Sequence, residues 1–228
     1  MEVNSLTLFD EELVKRVDIY RKHPHLLPFI GENYGKGNCN KILLVGESFR
    51  LANRENKSEL NNMFEKWYEK SNDDLKLSDE EIGWTKTRET ITYSNSTFNR
   101  NVRSILEELG ETVSSVAFMN FFQRPAYPVP LGRKTGIVSN EKDVEVAKEA
   151  LQKVCEIIKP NYLLFVSKKS FWSFGDKCEI LQGKEIGVKK IGAVAHPACR
   201  YWNKDGGKYG RQAFINFFQE FVKKNKEN

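Results

Sequence analysis

Lys41-Ile-Leu-Leu-Val-Gly-Glu-Ser-Phe49 contains four consecutive apolar residues that are followed directly by a glycine. A run without a polar face predicts a β-strand that is buried on both sides of a sheet. Gly46 permits a tight turn at the carboxyl end of this strand, which is where open α/β sheets place their ligands. We therefore expect Glu47, Ser48 and Phe49 to lie at the functional site.

The rest of the chain alternates between similar apolar runs and segments with helical spacing of apolar residues. The runs predict strands at 115–120, 162–166 and 189–195, and the helical spacing predicts helices at 6–21, 99–109, 141–159 and 209–224. This alternation predicts an α/β fold, with a three-layer α/β/α sandwich around a mostly parallel four-stranded sheet. We expect a single domain over 1–228, with an insertion at 51–95 in which Ser78-Asp-Glu-Glu81 begins a helix.

Composition indicates an intracellular protein without a bound metal or cofactor. The net charge of +5 permits a polyanionic partner without requiring one. The four cysteines are scattered and lack the spacing of a metal or iron–sulfur site, which favours reduced thiols and a cytoplasmic location. His23 and His25 flank Pro24, a pattern more typical of an exposed loop than of a metal site. No apolar run is long enough for a membrane span. We expect a monomer, although no pattern in the sequence settles the oligomeric state.

Polar residues follow three of the predicted strands. Glu47 follows the first, Asn120 ends the second, and His196 follows the fourth. Because the carboxyl ends of parallel strands meet at one edge of the sheet, these residues can share one crevice.

The order of these motifs resembles that of the uracil-DNA glycosylase superfamily. Val45-Gly-Glu-Ser48 is similar to the first motif of the G-E-A-P-G type of bacterial and archaeal members. Phe118-Met-Asn-Phe-Phe-Gln-Arg-Pro125 and Ile158-Lys-Pro-Asn-Tyr-Leu-Leu-Phe165 resemble the segments that follow in those members. Ala195-His-Pro-Ala198 resembles the H-P-S motif. The resemblance covers roughly 41–201 apart from the insertion, and the order of the motifs is more specific than any one of them.

The resemblance implies removal of uracil or another deaminated or damaged base from DNA by cleavage of the N-glycosidic bond. Asn120 would read the flipped base, because its amide can donate to O4 and accept from N3–H of uracil. His196 would donate a hydrogen bond to the charge that develops on the departing base. Glu47, or water held by Glu47 and Ser48, would face the sugar carbon.

A flipped base also needs an aromatic side chain on which to stack. Phe49 is the first candidate for this base-binding role. Phe98 and Phe121 are the next candidates.

The same resemblance implies contacts with single- or double-stranded DNA. Arg124 and Lys168 would contact phosphates from the loops at the strand ends. Arg200, Tyr201 and Trp202 follow the His-Pro motif and would fill the gap that the flipped base leaves. Packing of Arg200 to Trp202 onto the last helix is an equally open alternative.

Two departures from the family pattern favour a different function. The first motif lacks the Pro-Gly pair, and Ala198 stands where the H-P-S motif has serine. The alternative is a catalytically repurposed relative that binds nucleic acid or a nucleotide-like ligand in the same crevice. A further alternative is a protein-interaction scaffold, in which Phe64, Trp67 and Tyr68 would form an exposed apolar patch.

Each of the three polar residues also has a purely structural interpretation. Glu47 could cap the helix that follows it. Asn120 could satisfy backbone groups at the end of its strand. His196 could be a turn residue before Pro197.

Overall fold

The fold is taken from a computed structural model of the chain. The structure describes residues 9–36, 40–49, 57–126, 138–175, 181–183, 186–204 and 210–223, and for 57–61 and 222–223 it describes the backbone alone. Most of the predicted loop at 127–139 and the beginning of the predicted first helix lie outside these ranges.

Five strands form one sheet in the described part of the chain, in the order β1-β3-β2-β4-β5. They are β1 (Phe29–Ile30), β2 (Ile42–Gly46), β3 (Val116–Asn120), β4 (Tyr162–Phe165) and β5 (Lys190–Ala193). The strands β3, β2, β4 and β5 are parallel, as predicted. The prediction of four strands was wrong, because β1 pairs antiparallel with the outer edge of β3.

Helices precede, connect and follow the strands. They are α1 (Asp10–Arg16), α2 (Asp18–Lys22), α3 (Lys57–Lys66), α4 (Asp79–Thr85), α5 (Thr87–Tyr93), α6 (Thr97–Glu108), α7 (Glu141–Ile158), α8 (Lys168–Phe174) and α9 (Gly210–Phe217). The single helix predicted at 6–21 is therefore two helices, since the backbone at Val17 is extended (φ −113°, ψ 101°). After α9 the chain continues as a π-helix, Phe218–Lys223.

Alternate residues of the central strand pack into two separate cores. Leu43 and Val45 belong to a core that includes Leu151 of α7. Ile42 and Leu44 face the other way, into a core that includes Val102 of α6 and Phe214 of α9. This arrangement explains why β2 has no polar residue, because both of its faces are covered.

The predicted insertion is an integral part of the fold. The capping box at Ser78 is confirmed at the beginning of α4. Trp67 and Ile91 are fully buried, each in a different core. The carboxylate of Asp10, which is 2% exposed, accepts two hydrogen bonds from the Arg88 guanidinium and so joins α5 to α1.

This packing overturns the exposed apolar patch that the scaffold alternative requires. Phe64 is 4% exposed and Trp67 is completely buried. Tyr68 is half-buried, and its hydroxyl donates to Asp143 at 2.8 Å.

The histidine pair does not lie in an exposed loop. His23 is fully buried, with its ring stacked 4.4 Å from that of Trp67 and its Nε2 2.8 Å from the Trp67 carbonyl oxygen. Burial lowers the pKa of His23. Burial, together with the neighbouring His23, lowers the pKa of His25 to about 3. Asn72 joins the two rings, since its side chain contacts Nδ1 of each. The lowered pKa values favour neutral rings, and a neutral His23 donates to only one of the two oxygens that its nitrogens face.

Candidate functional site

The side chain of Asn120 lies directly over Gly46. The two residues are register partners at the carboxyl ends of β3 and β2. A Cβ atom at position 46 would lie only 2.3 Å from Asn120 Oδ1. A side chain at position 46 would therefore force the Asn120 amide to move, whereas glycine accommodates its close approach.

The Asn120 amide lies at the carboxyl end of β3 and forms no hydrogen bond with a backbone group of the described residues. Asn120 is 7% exposed, and its backbone carbonyl accepts a hydrogen bond of 2.5 Å from Gln123 Nε2. Among the residues that the structure describes, none forms a hydrogen bond with the Asn120 side chain. The amide is not among the fully buried side-chain atoms that lack a partner in the described ranges, so it reaches solvent and can bind a ligand.

Glu47 is held by a serine from the neighbouring strand end. Ser167 Oγ donates to Glu47 Oε2 at 3.0 Å and also caps α8. Ser170 Oγ donates to the carbonyl of Gly46 at 3.0 Å. Sequence reasoning missed both serines, although Ser167 follows a buried strand just as Glu47 does.

The loop after β3 lies beside the segment that follows β2. Phe121 and Phe122 donate their backbone N–H groups to the carbonyls of Gly46 and Glu47, at 3.2 and 2.9 Å. Ala126 donates likewise to Phe49, at 2.7 Å. These bonds fix the backbone at Glu47, although the chain lacks the Pro-Gly pair of the G-E-A-P-G motif. Ser48 lies half-buried between the bonded positions.

His196 is oriented by its own loop and by α6. Its Nδ1 accepts a hydrogen bond of 3.1 Å from the Ala198 backbone, so a neutral ring carries its proton on Nε2. Asn101 Nδ2 donates to the Pro197 carbonyl at 2.6 Å, which ties the His-Pro turn to α6. The ring of Phe98 lies 5.2 Å from that of His196.

The aromatic residue beside the polar groups is Phe98 rather than Phe49. Phe49 is 4% exposed within the α7-side core, and Phe121 is fully buried there as well, so neither offers a ring face to a base. Phe98 is half-buried and lies 5.7 Å from Phe118, which faces the same side of β3 as Asn120. Phe98 therefore connects the strand that carries Asn120 with the loop that carries His196.

Arg124 does not lie where it could contact DNA. It is 3% exposed, and its guanidinium donates to both carboxylate oxygens of Asp143, at 2.6 and 2.7 Å. It also donates to the carbonyls of Pro125 and Val138, on either side of 127–137. The expected phosphate contact is replaced by a buried ion pair, and the guanidinium also links Pro125 to Val138.

The other expected DNA contacts lie at the surface, with one exception. The guanidinium of Arg200 lies 4.5 Å from the ring centre of Tyr201, which is 40% exposed, and Lys204 Nζ lies 5.8 Å from the same ring. Lys168 is half-buried. Trp202, in contrast, is 2% exposed and belongs to the α6-side core, so it cannot enter a duplex.

Neither a metal centre nor a membrane segment is found in the described ranges. They contain no group of three or more His, Cys, Asp or Glu side chains placed to hold a metal ion. None of the helices described there is long and apolar enough to cross a membrane. An open cleft of about 610 Å³ lies along the start of α7 and contains none of the residues discussed above.

The sequence matches no protein-family model and no curated protein.

Proposed function

We propose that the chain is a DNA glycosylase with a uracil-DNA glycosylase-like three-layer sandwich, acting on uracil or another deaminated base. The observation that carries this proposal is the Asn120 amide, which lies over Gly46 and forms no hydrogen bond within the described part of the chain. The strand order supports it, because the connection that leaves β2 leads to β3 on one side, whereas the connection that leaves β4 leads to β5 on the other side. Ligands of open α/β sheets bind at such a point.

Each group has a chemical role in this proposal. The Asn120 amide can pair with a carbonyl and an adjacent N–H of a pyrimidine. Phe98, half-buried beside His196, supplies the ring against which the base stacks. Base recognition thus requires that the nucleotide be flipped out of the helix.

The reaction breaks the bond between the base nitrogen and the sugar carbon. The bonding electron pair leaves with the base, and His196 stabilises the resulting charge through Nε2–H. Water adds to the sugar carbon and loses a proton, with Glu47 positioned to stabilise the cationic centre or to accept that proton. The Ser167 hydrogen bond keeps one Glu47 oxygen in a fixed direction.

Strand cleavage after alkali treatment tests this function. Labelled oligonucleotides would carry uracil, hypoxanthine or xanthine, in single strands and opposite each base. We expect cleavage by the wild type and a loss of roughly 100-fold or more in Asn120→Ala and in His196→Ala. Asn62→Ala is the matched control, because Asn62 is exposed on α3. Equal cleavage by all four proteins would refute the site assignment.

A second candidate function is a binding protein that has lost catalysis. The burial of Phe49 favours it, because the first motif then presents no ring to a base. Retained binding of a uracil-containing strand without cleavage would support this candidate over the enzyme.

A further inference from the structure

The helix α8 carries a tryptophan that is largely exposed. Trp172 is 70% exposed, whereas Trp67 and Trp202 are buried. In the described ranges Trp172 has no hydrogen bond, ion pair or ring contact. A single exposed aromatic residue is ordinary on a protein surface, so the groups beside Trp172 decide whether it marks a binding site.

The buried side of α8 fixes the direction of this indole. Ser170 and Phe174 are 0% and 2% exposed, and they pack inward at a spacing of four residues. Lys168 and Trp172 share the opposite stripe at the same spacing. No carboxylate pairs with Lys168 among the residues the structure describes. The outer face of α8 therefore combines an ammonium group with an aromatic ring.

The helix α8 begins beside the proposed active site. Ser167, which caps α8, donates directly to Glu47. With a rise of 1.5 Å per residue, the backbone of Trp172 lies about 7.5 Å along the helix from Ser167. Arg200, Tyr201 and Lys204 follow the adjacent strand, β5, and also combine cations with an exposed ring.

We infer that the outer face of α8 binds single-stranded nucleic acid, with Trp172 stacking on an unpaired base and Lys168 contacting a phosphate. Every base has a π-face, so such stacking tolerates any sequence. Bases within a duplex are already stacked on their neighbours, so Trp172 favours a single strand. The inference rests on the proposed function in that it places the strand next to the excision site.

Fluorescence anisotropy with a labelled oligothymidylate, which contains no deaminated base, tests this inference. We expect Trp172→Ala to weaken binding about ten-fold, the loss of one stacked base, while Trp172→Phe retains most of the affinity. Trp84→Ala is the matched control, because Trp84 is 54% exposed on α4, whose first turn is acidic. Lys168→Ala should reduce the slope of log affinity against log salt by about 0.7.

The outcomes separate this inference from the proposed function. Three results would overturn the inference, whether or not bases are excised. They are an unchanged affinity in Trp172→Ala, an equal loss of affinity in Trp84→Ala, and an equal affinity for a duplex of the same length. Binding that depends on Trp172 in a protein without excision activity would sustain the inference and reject the glycosylase.

Discussion

Replacement of Gly46 by alanine probes the contact on which the site depends. The new Cβ would lie 2.3 Å from Asn120 Oδ1 and 3.0 Å from Phe118 Cζ. Overpacking of this kind costs about 1–3 kcal/mol. Replacing a glycine stabilises the folded protein by about 0.5–1 kcal/mol, because the unfolded chain then has less conformational entropy to lose. The free energy of unfolding should therefore fall by about 1–2 kcal/mol.

The double variant isolates the contribution of Asn120. In an Asn120→Ala background the 2.3 Å contact is absent, and only the Phe118 contact remains. Gly46→Ala should then be close to neutral, which corresponds to a coupling of about 1–2 kcal/mol between positions 46 and 120. Urea denaturation of the four proteins, followed by circular dichroism, measures this coupling.

Activity supplies an independent measurement on the same variants. Gly46→Ala should lose base excision even though most of the protein stays folded, because the amide must move away from its position. A coupling below about 0.5 kcal/mol, the range of simple additivity, would show that the Asn120 side chain does not lie over Gly46.

Three further predictions concern the surrounding fold. Arg124→Ala should lower the unfolding free energy by about 3–5 kcal/mol in a denaturant titration, because it leaves Asp143 buried without its cation; a loss below 1 kcal/mol would contradict the buried pair. Between pH 7 and pH 5, the unfolding free energy of the wild type should fall by about 2 kcal/mol more than that of His25→Gln. The unfolded histidine binds a proton below pH 6.5, whereas the folded one, with its pKa of about 3, does not; parallel pH profiles would refute this. Ser78→Ala should cost about 1 kcal/mol through loss of the α4 cap, and an unchanged melting temperature would argue against that cap.

Local patterns were sufficient to predict the parallel strands and several helices. The apolar run before Gly46 predicted β2, and the apolar spacing from Glu141 predicted α7. Both predictions succeeded because the order of apolar residues in the sequence reflects which positions are buried. β1 was not predicted, since its two residues are too few to show alternation and its partner β3 lies far along the chain.

The errors at the candidate site arise from distant partners. The sequence alone favours a phosphate contact for Arg124 because its buried partner, Asp143, comes 19 residues later. His23 looked exposed because Trp67, on which it stacks, comes 44 residues later. The position of Phe49 after a strand end predicts a place at the site, but its ring packs into the core.

Direct detection of the released base tests the central claim most plainly. A single-stranded oligonucleotide containing uracil would be incubated with the wild type and with His196→Ala, and the small-molecule fraction would be separated by chromatography. We predict free uracil from the wild type, in amounts equal to the abasic sites formed, and little or none from His196→Ala. Binding of the oligonucleotide by the wild type without any released base would contradict the proposed activity.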